Sequence, residues 1–345
     1  MKNKIAIASA FLAASSFSMG EIVVNDFLSF EGFVDSSYSH TDAEAEGDNE
    51  SDNSFQVDQV EISWLFDFDA VTAQIDLEYE DGDDGDNDGV EQAFVNLALS
   101  NGDVVTAGRY ASMLGFEAYE PTGLYQYSTA YDIVGFDLSL ASEYNQGVKY
   151  TRTSDTTFFG ISVQDEAFGD NGDDDSDPDR LGGDGDSSFA VEVAGSMDLG
   201  NGFTVFAGAA FEDADLGDNQ LINAYVTYET GAWLFAAEIN VADYSDYNAG
   251  TEDLEVTSGL LMANYAYSDV ASVTARISAI DAELGNDDAD ITKYTLAHNY
   301  ALSDNLLLVT EISYADGDLD LTDDDVDNSF DGDATTIAVE LLFSF

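Results

Sequence analysis

From residue 27 onward the chain alternates apolar and polar residues with a period of two. In Val71-Thr72-Ala73-Gln74-Ile75-Asp76-Leu77-Glu78-Tyr79 every odd position is apolar and every even one polar. Ala271-Ser272-Val273-Thr274-Ala275-Arg276-Ile277-Ser278-Ala279 repeats the pattern with an arginine on the polar side, and the ending Thr335 to Phe345 does so again. This period places alternate side chains on opposite faces of a strand. No helical period competes with it after the N-terminus.

The connections decide what the strands build. Short turns fall at Asp69-Ala70, Ser100 to Asp103, Ser154 to Thr156, Asp198 to Gly202, Glu229 to Gly231, Ser268 to Val270 and Ala301 to Asn305. Longer acidic segments lie between them, around 40–53, 80–90, 111–146, 165–187, 212–219, 241–253, 281–290 and 315–333. Seven short turns alternating with eight long loops require sixteen strands. They are expected at 27–39, 55–68, 71–79, 91–99, 104–110, 147–153, 157–164, 188–197, 203–211, 221–228, 232–240, 255–266, 271–280, 292–300, 306–314 and 335–345, with the register of 104–110 and 292–300 ambiguous. An even count with both ends on the short-turn side closes as an antiparallel sheet. In hydrocarbon a sheet must close, because no backbone group can go unpaired there. The expected fold is therefore all-β: an antiparallel transmembrane β-barrel of about 16 strands, apolar face to lipid and polar face to the lumen, with short periplasmic turns and long acidic extracellular loops.

The N-terminus reads as an export signal. Lys2 and Lys4 precede the apolar run Ile5 to Ala14, and small residues (Ser15, Ser16, Ser18, Gly20) follow, with cleavage expected near Ser18 or Gly20. The domains expected are a signal peptide at 1–20 and one barrel domain at 21–345. No later stretch approaches the roughly 18 apolar residues of a membrane helix. With no cysteine, a disulfide-stapled scaffold is excluded. Seventy-one acids against 8 bases give a net charge of −63, which repels nucleic acid phosphates and anionic lipid head groups unless cations intervene. Acidic composition alone would point to disorder, but 18 Tyr and 22 Phe argue for a folded chain. Aromatics cluster near strand ends (Tyr79, Tyr110, Phe211, Tyr228, Trp233, Tyr265, Tyr267, Tyr300, Tyr314, Phe343), as head-group girdles would, although the β-propensity of these rings accounts for part of this.

The last strand carries Ile337, Val339, Leu341, Phe343 and a terminal Phe345. Joined to an export signal, this resembles the assembly signal of Gram-negative outer-membrane proteins. The strand and loop count resembles the general diffusion porins, whose third long loop folds into the barrel; here the third loop, 111–146, is also the longest. Gly108-Arg109-Tyr110, followed by Leu114-Gly115-Phe116-Glu117 and Glu120-Pro121, and then Gly147-Val148-Lys149-Tyr150, resembles the OmpL-like β-barrel porins. The Pro-Glu-Phe-Gly-Gly loop signature of the general porins is absent.

If the third loop lies in the lumen, Glu117, Glu120, Asp132, Asp137 and Glu143, with Tyr119, Tyr125, Tyr127 and Tyr131, line the narrowest point, and such acids favour cations. The alternative is an external lid whose acids are solvated. Arg276 and Lys149 fall on polar faces and should point into the lumen; Arg109 and Lys293 lie where register is unclear. These bases either oppose the acidic loop across the constriction or neutralise wall carboxylates such as Glu192, Glu238 or Glu340. Arg152 sits near a strand end, where it would anchor at the interface. Asp84, Asp86 and Asp88, with Gly85 and Gly89, match the opening half of a calcium loop, but position twelve is Val95 instead of glutamate. Asp173, Asp175 and Asp177, and Asp316, Asp318 and Asp320, repeat the spacing without the glycine. Dedicated calcium binding competes with diffuse screening of a solvated surface. No other cofactor is suggested. Catalytic motifs are lacking, and His40 and His298 are isolated.

The leading expectation is a water-filled outer-membrane pore for passive diffusion of small hydrophilic solutes, preferring cations, in contact with outer-membrane lipid and lipopolysaccharide. The alternative is a structural or adhesive surface barrel whose acidic loops bridge to calcium or lipopolysaccharide; a third loop folded outside would favour it. The solute is not legible, nor is the oligomeric state, for which a homotrimer is the assembly to test.

Overall fold

The computed structural model describes residues 20–45, 48–80, 88–133, 136–137, 140–168, 189–213, 217–246, 252–323 and 326–345. Residues 1–19 of the expected signal peptide, and the calcium-loop candidates Asp84, Asp86, Asp173, Asp175 and Asp177, lie outside them. The strands are β1 (Ile22–Asn25), β2 (Leu28–Ala45), β3 (Asp48–Phe68), β4 (Val71–Glu80), β5 (Asp88–Ala98), β6 (Val104–Ala111), β7 (Asp132–Ile133), β8 (Phe136–Asp137), β9 (Tyr144–Thr153), β10 (Thr157–Gln164), β11 (Phe189–Gly200), β12 (Phe203–Asp213), β13 (Asp218–Thr230), β14 (Trp233–Asp246), β15 (Glu252–Ser268), β16 (Ala271–Leu284), β17 (Asp287–Ser303), β18 (Leu306–Asp323) and β19 (Val326–Ser344). Strands β2 to β6 and β9 to β19 pair in sequence, all antiparallel, and β19 pairs back onto β2. That closes a barrel of sixteen strands. β1 is one extra short strand on β2, while β7 and β8 form a small hairpin inside the third loop.

Each strand read from the alternation is present, and the seven short turns join the pairs expected. The difference lies at the other end. Segments 40–53, 281–290 and 315–333 were expected as loops, yet β2 and β3 pair as far as Ala45 with Asp48. β16 and β17 pair to Leu284 with Asp287, and β18 and β19 to Asp323 with Val326. Beyond the apolar band both faces of a hairpin are wet. The backbone ladder then continues without the apolar alternation that marks a half-buried strand.

The ladder also fixes both ambiguous registers. Thr106 and Tyr110 point inward from β6, and Lys293, Thr295 and Asn299 inward from β17, whose Tyr294, Leu296 and Tyr300 are exposed on the outer face. Across the barrel the outer face carries Ile75, Leu77, Ile161, Val163, Ile239, Leu261, Ile277, Ile312 and Leu341. The inner face carries Asp76, Ser162, Glu192, Asn223, Asn240, Thr274 and Glu340. Near the short turns, rings stack on the outer face: Phe203 on Tyr228 at 4.2 Å between centroids, and Trp233 on Tyr265 at 4.5 Å. Tyr110, expected in this girdle, is instead buried on the inner face, because it shares the parity of Thr106. Phe345 exchanges backbone hydrogen bonds with Gly32, in both directions at 2.9 Å, locking the end of the chain onto β2.

The two faces of β16 provide a direct test. Ile277, exposed on the outer face beside inward Arg276, is expected to cost about 2–4 kcal/mol when replaced by arginine if it sits near the bilayer midplane. Urea unfolding of barrels refolded in vesicles would measure this. An Ile277→Arg variant as stable as the parent would mean that this face does not meet lipid.

Candidate pore constriction

The described residues of the third loop, 112–133, 136–137 and 140–143, fold into the barrel. Irregular backbone inside a barrel needs partners for its N–H groups, and inward wall carboxylates supply them. Glu192 of β11 accepts from Ser112 Oγ at 2.7 Å and Met113 N at 2.6 Å. Glu238 of β14 accepts from Phe116 N at 2.7 Å and the Tyr131 hydroxyl at 3.0 Å. Burial first, and the Glu238 carboxylate second, push the Tyr131 phenol up, so it stays protonated as the donor. Glu311 of β18 accepts from Tyr127 N at 2.9 Å, Ser128 N at 3.2 Å and Ser128 Oγ at 2.6 Å.

Apolar contacts seat the same loop. Leu114 and Leu140 pack with inward Phe206, Leu221, Val256 and Ile280. Phe116 lies parallel to Tyr125, with centroids 6.3 Å apart, and edge-on to Tyr225 at 5.6 Å. The apolar patch that Phe206, Leu221, Val256 and Ile280 form between the inward polar groups of β12 to β16 is therefore a docking face for the loop.

The inward bases hold the loop as well. Arg276 is only 2% exposed. Its Nη1 contacts Glu117 Oε1 at 2.6 Å and the Ser128 carbonyl at 2.9 Å, and its Nη2 donates to the Thr129 carbonyl at 2.8 Å. Lys293 Nζ donates to the same Thr129 carbonyl at 3.2 Å. Lys149 Nζ donates to the Ala111 carbonyl at 3.0 Å and sits 4.2 Å above the Tyr110 ring. Lys149 also acts electrostatically on the wall carboxylate Glu192. Arg276 is matched by a loop carboxylate instead of a wall one, and the three cations clamp the loop where it leaves β6 and at its tip.

The opposite wall differs in charge. No lysine or arginine occurs between Lys4 and Arg109, so β2 to β5 carry none. Their inward side chains include Asp35, Asp58, Glu61, Asp76 and Glu91. Glu120 reaches towards this wall from the loop, accepting from the Tyr144 hydroxyl at 2.6 Å and Gln59 Nε2 at 3.0 Å. Tyr119 packs against Tyr144 and donates to the Leu114 carbonyl at 3.0 Å.

Two of the expected constriction residues are not brought into this set. Arg109 pairs with Ala93 and Gln146 on the parity of Val105 and Ala107, so it leaves β6 on the outer face. Glu143 is exposed at the junction with β9, where its carbonyl accepts from Ser112 N. The side chains of Asp132, Asp137 and Asp88 lie outside the described residues. Arg152 is outward and 65% exposed, 3.8 Å from Asp103. Sequence reasoning missed Asp35, Asp58, Glu61, Asp76 and Glu91, although the base-free run from Lys4 to Arg109 was a visible signal.

Residues 28–345 match the family described as "Putative beta-barrel porin-2, OmpL-like". No curated protein matches the chain. Solved structures resemble it in fold. OmpT of Vibrio cholerae, an outer-membrane protein, is 14% identical, with 94% of this chain and 100% of that one covered at a TM-score of 0.64. The outer membrane channel DcaP of Acinetobacter baumannii is 12% identical, covering 92% and 97% at 0.64. An anion-selective porin from Comamonas acidovorans is 15% identical, covering 92% and 99% at 0.61. With nearly its whole length matched and its sixteen strands closed, the chain belongs to the OmpL-like β-barrel porins and is a barrel of the Gram-negative outer membrane.

Proposed function

We propose that this porin is a water-filled channel for passive diffusion of small hydrophilic solutes, with a preference for cations. The observation that carries the reading is the division of charge. Lys149, Arg276 and Lys293 are engaged with the third loop, while the β2 to β5 wall has carboxylates and no base. Solutes passing along that wall meet an unopposed negative field, which lowers the barrier for cations and raises it for anions. The inward position of the third loop supports a channel over a surface barrel that bridges calcium or lipopolysaccharide. A trimer, the form described for one OmpT structure, is the proposed assembly, within a lipid and lipopolysaccharide membrane.

In planar bilayers the purified protein is expected to give stepwise conductance. Under a potassium chloride gradient its reversal potential should lie on the cation side, shrinking as salt screens the wall. A silent bilayer would sink the channel, and a reversal potential on the anion side would sink the selectivity.

A further inference from the structure

We infer that Glu61, Glu91 and Glu120 form a binding site for one divalent cation of the calcium class on the wall of the channel. The inference deepens the proposed cation preference and rests on it for the path by which ions arrive. The three carboxylates come from separate elements: β3, β5 and the third loop. One oxygen from each lies within 4.8 Å of the other two. Oxygens bound at about 2.3–2.6 Å to opposite sides of one calcium are about 4.6–5.2 Å apart, so a single ion spans the group. Magnesium demands near-ideal octahedral geometry and keeps several waters, which a set of three carboxylates drawn from separate elements suits less well than calcium's flexible shell. A donor set of carboxylates alone suits hard cations over zinc or copper.

A second observation points to a ligand. Glu91 is 6% exposed, and its buried Oε2 has no hydrogen-bond partner. In its charged form a buried carboxylate oxygen without a partner is costly, and a cation seated beside it removes that cost; no lysine or arginine on β2 to β5 supplies one. Local geometry explains how Glu91 comes to aim there. The β4–β5 ladder skips it, pairing Asp76 with Gln92 and Leu77 with Val90. Gln92 keeps the inward direction, donating to Asp76 at 2.8 Å, and the skipped residue turns inward beside it. Bulges commonly re-aim a side chain in this way. Glu120 is held by Tyr144 and Gln59, the outer-shell support that orients a metal ligand. An ion seated here would add positive charge to the acidic wall and throttle monovalent flux.

Calorimetric titration of the full-length refolded protein with calcium chloride, in excess potassium chloride, tests this. One saturable site per chain is expected above weak, unsaturating binding to the acidic surface. Glu91→Gln and Glu120→Gln should each weaken it by at least about ten-fold. A second measurement does not depend on those variants folding. Terbium luminescence excited through tyrosine should saturate on the unmutated protein, be displaced by calcium, and dim in Tyr144→Phe, which keeps all three carboxylates. Unsaturating calcium binding, saturable binding unchanged in both glutamine variants, or terbium emission that never saturates would each overturn the site. Displacement by magnesium as effective as by calcium would overturn the calcium assignment. Reversal potentials on the same preparation separate the two claims: a cation-selective channel without saturable calcium keeps the channel and loses the site, while saturable calcium in a silent bilayer does the opposite.

Discussion

Arg276→Met is expected to release the third loop from the wall, raising single-channel conductance and making it noisy. Methionine fills much of the same volume but removes the charge that meets Glu117 at 2.6 Å and the two donors on the Ser128 and Thr129 carbonyls. Removing one partner of a buried pair leaves the other uncompensated, at a cost of about 3–5 kcal/mol. Glu117 also accepts from the backbone of Ala130 at 2.6 Å and from Gln126, so the stranded carboxylate lies in the middle of the loop's own fold. The barrel ladder does not pass through these contacts, so the strands should still assemble. Adding Glu117→Gln should recover much of the loss, because no buried charge is then left unmatched. Conductance and noise equal to the parent's would show that Arg276 does not hold the loop.

That arginine was legible in the sequence as an inward residue, because it falls on the polar side of a strand of unbroken alternation. Arg109 was not, since no clean alternation flanks it. Strand number was legible for a similar reason. Where one face meets lipid and the other water, the pattern cannot be relaxed, and short turns such as Asn201-Gly202 punctuate it. Past the apolar band that pressure ends, which is why the β2–β3 and β18–β19 hairpins ran longer than their composition indicated. The seating of the third loop was beyond sequence reasoning. Glu311 accepts from Tyr127 across 184 residues, and the local chain carries no trace of such a pairing. Glu91 was hidden differently: its inward aim exists only because the ladder skips one residue, and a skip is a property of two strands together. The acids singled out in the loop divide accordingly. Glu117 is consumed in structure, while Glu120 faces the acidic wall.

Gly108→Val is expected to lower the yield of folded barrel sharply, and to disturb conductance in whatever assembles. Gly108 has φ of +131°, a conformation that costs a non-glycine residue about 1–3 kcal/mol. A Cβ there would also lie 2.2 Å from the Ala93 carbonyl oxygen and 2.8 Å from the Phe94 Cα, both backbone atoms that cannot swing aside. Its cross-strand partner is Gly147, where a Cβ would come 2.2 Å from the Val163 carbonyl oxygen. The two glycines thus let β5, β6, β9 and β10 approach one another where the third loop leaves and rejoins the wall. Beside them Tyr110 turns inward under the Lys149 ammonium, and Lys149 grips the first carbonyl beyond the Tyr110 ring. A wider backbone at Gly108 would misplace that grip and the loop entry with it. Gly195→Ala is the control, because a Cβ there meets nothing closer than the Phe158 carbonyl oxygen at 3.4 Å. Heat-modifiable mobility on gels reports folded barrel for both variants. Equal yields would place the Gly-Arg-Tyr segment outside the steric constraints on the fold, whereas loss in Gly108→Val alone ties the segment to the point where the loop enters the lumen.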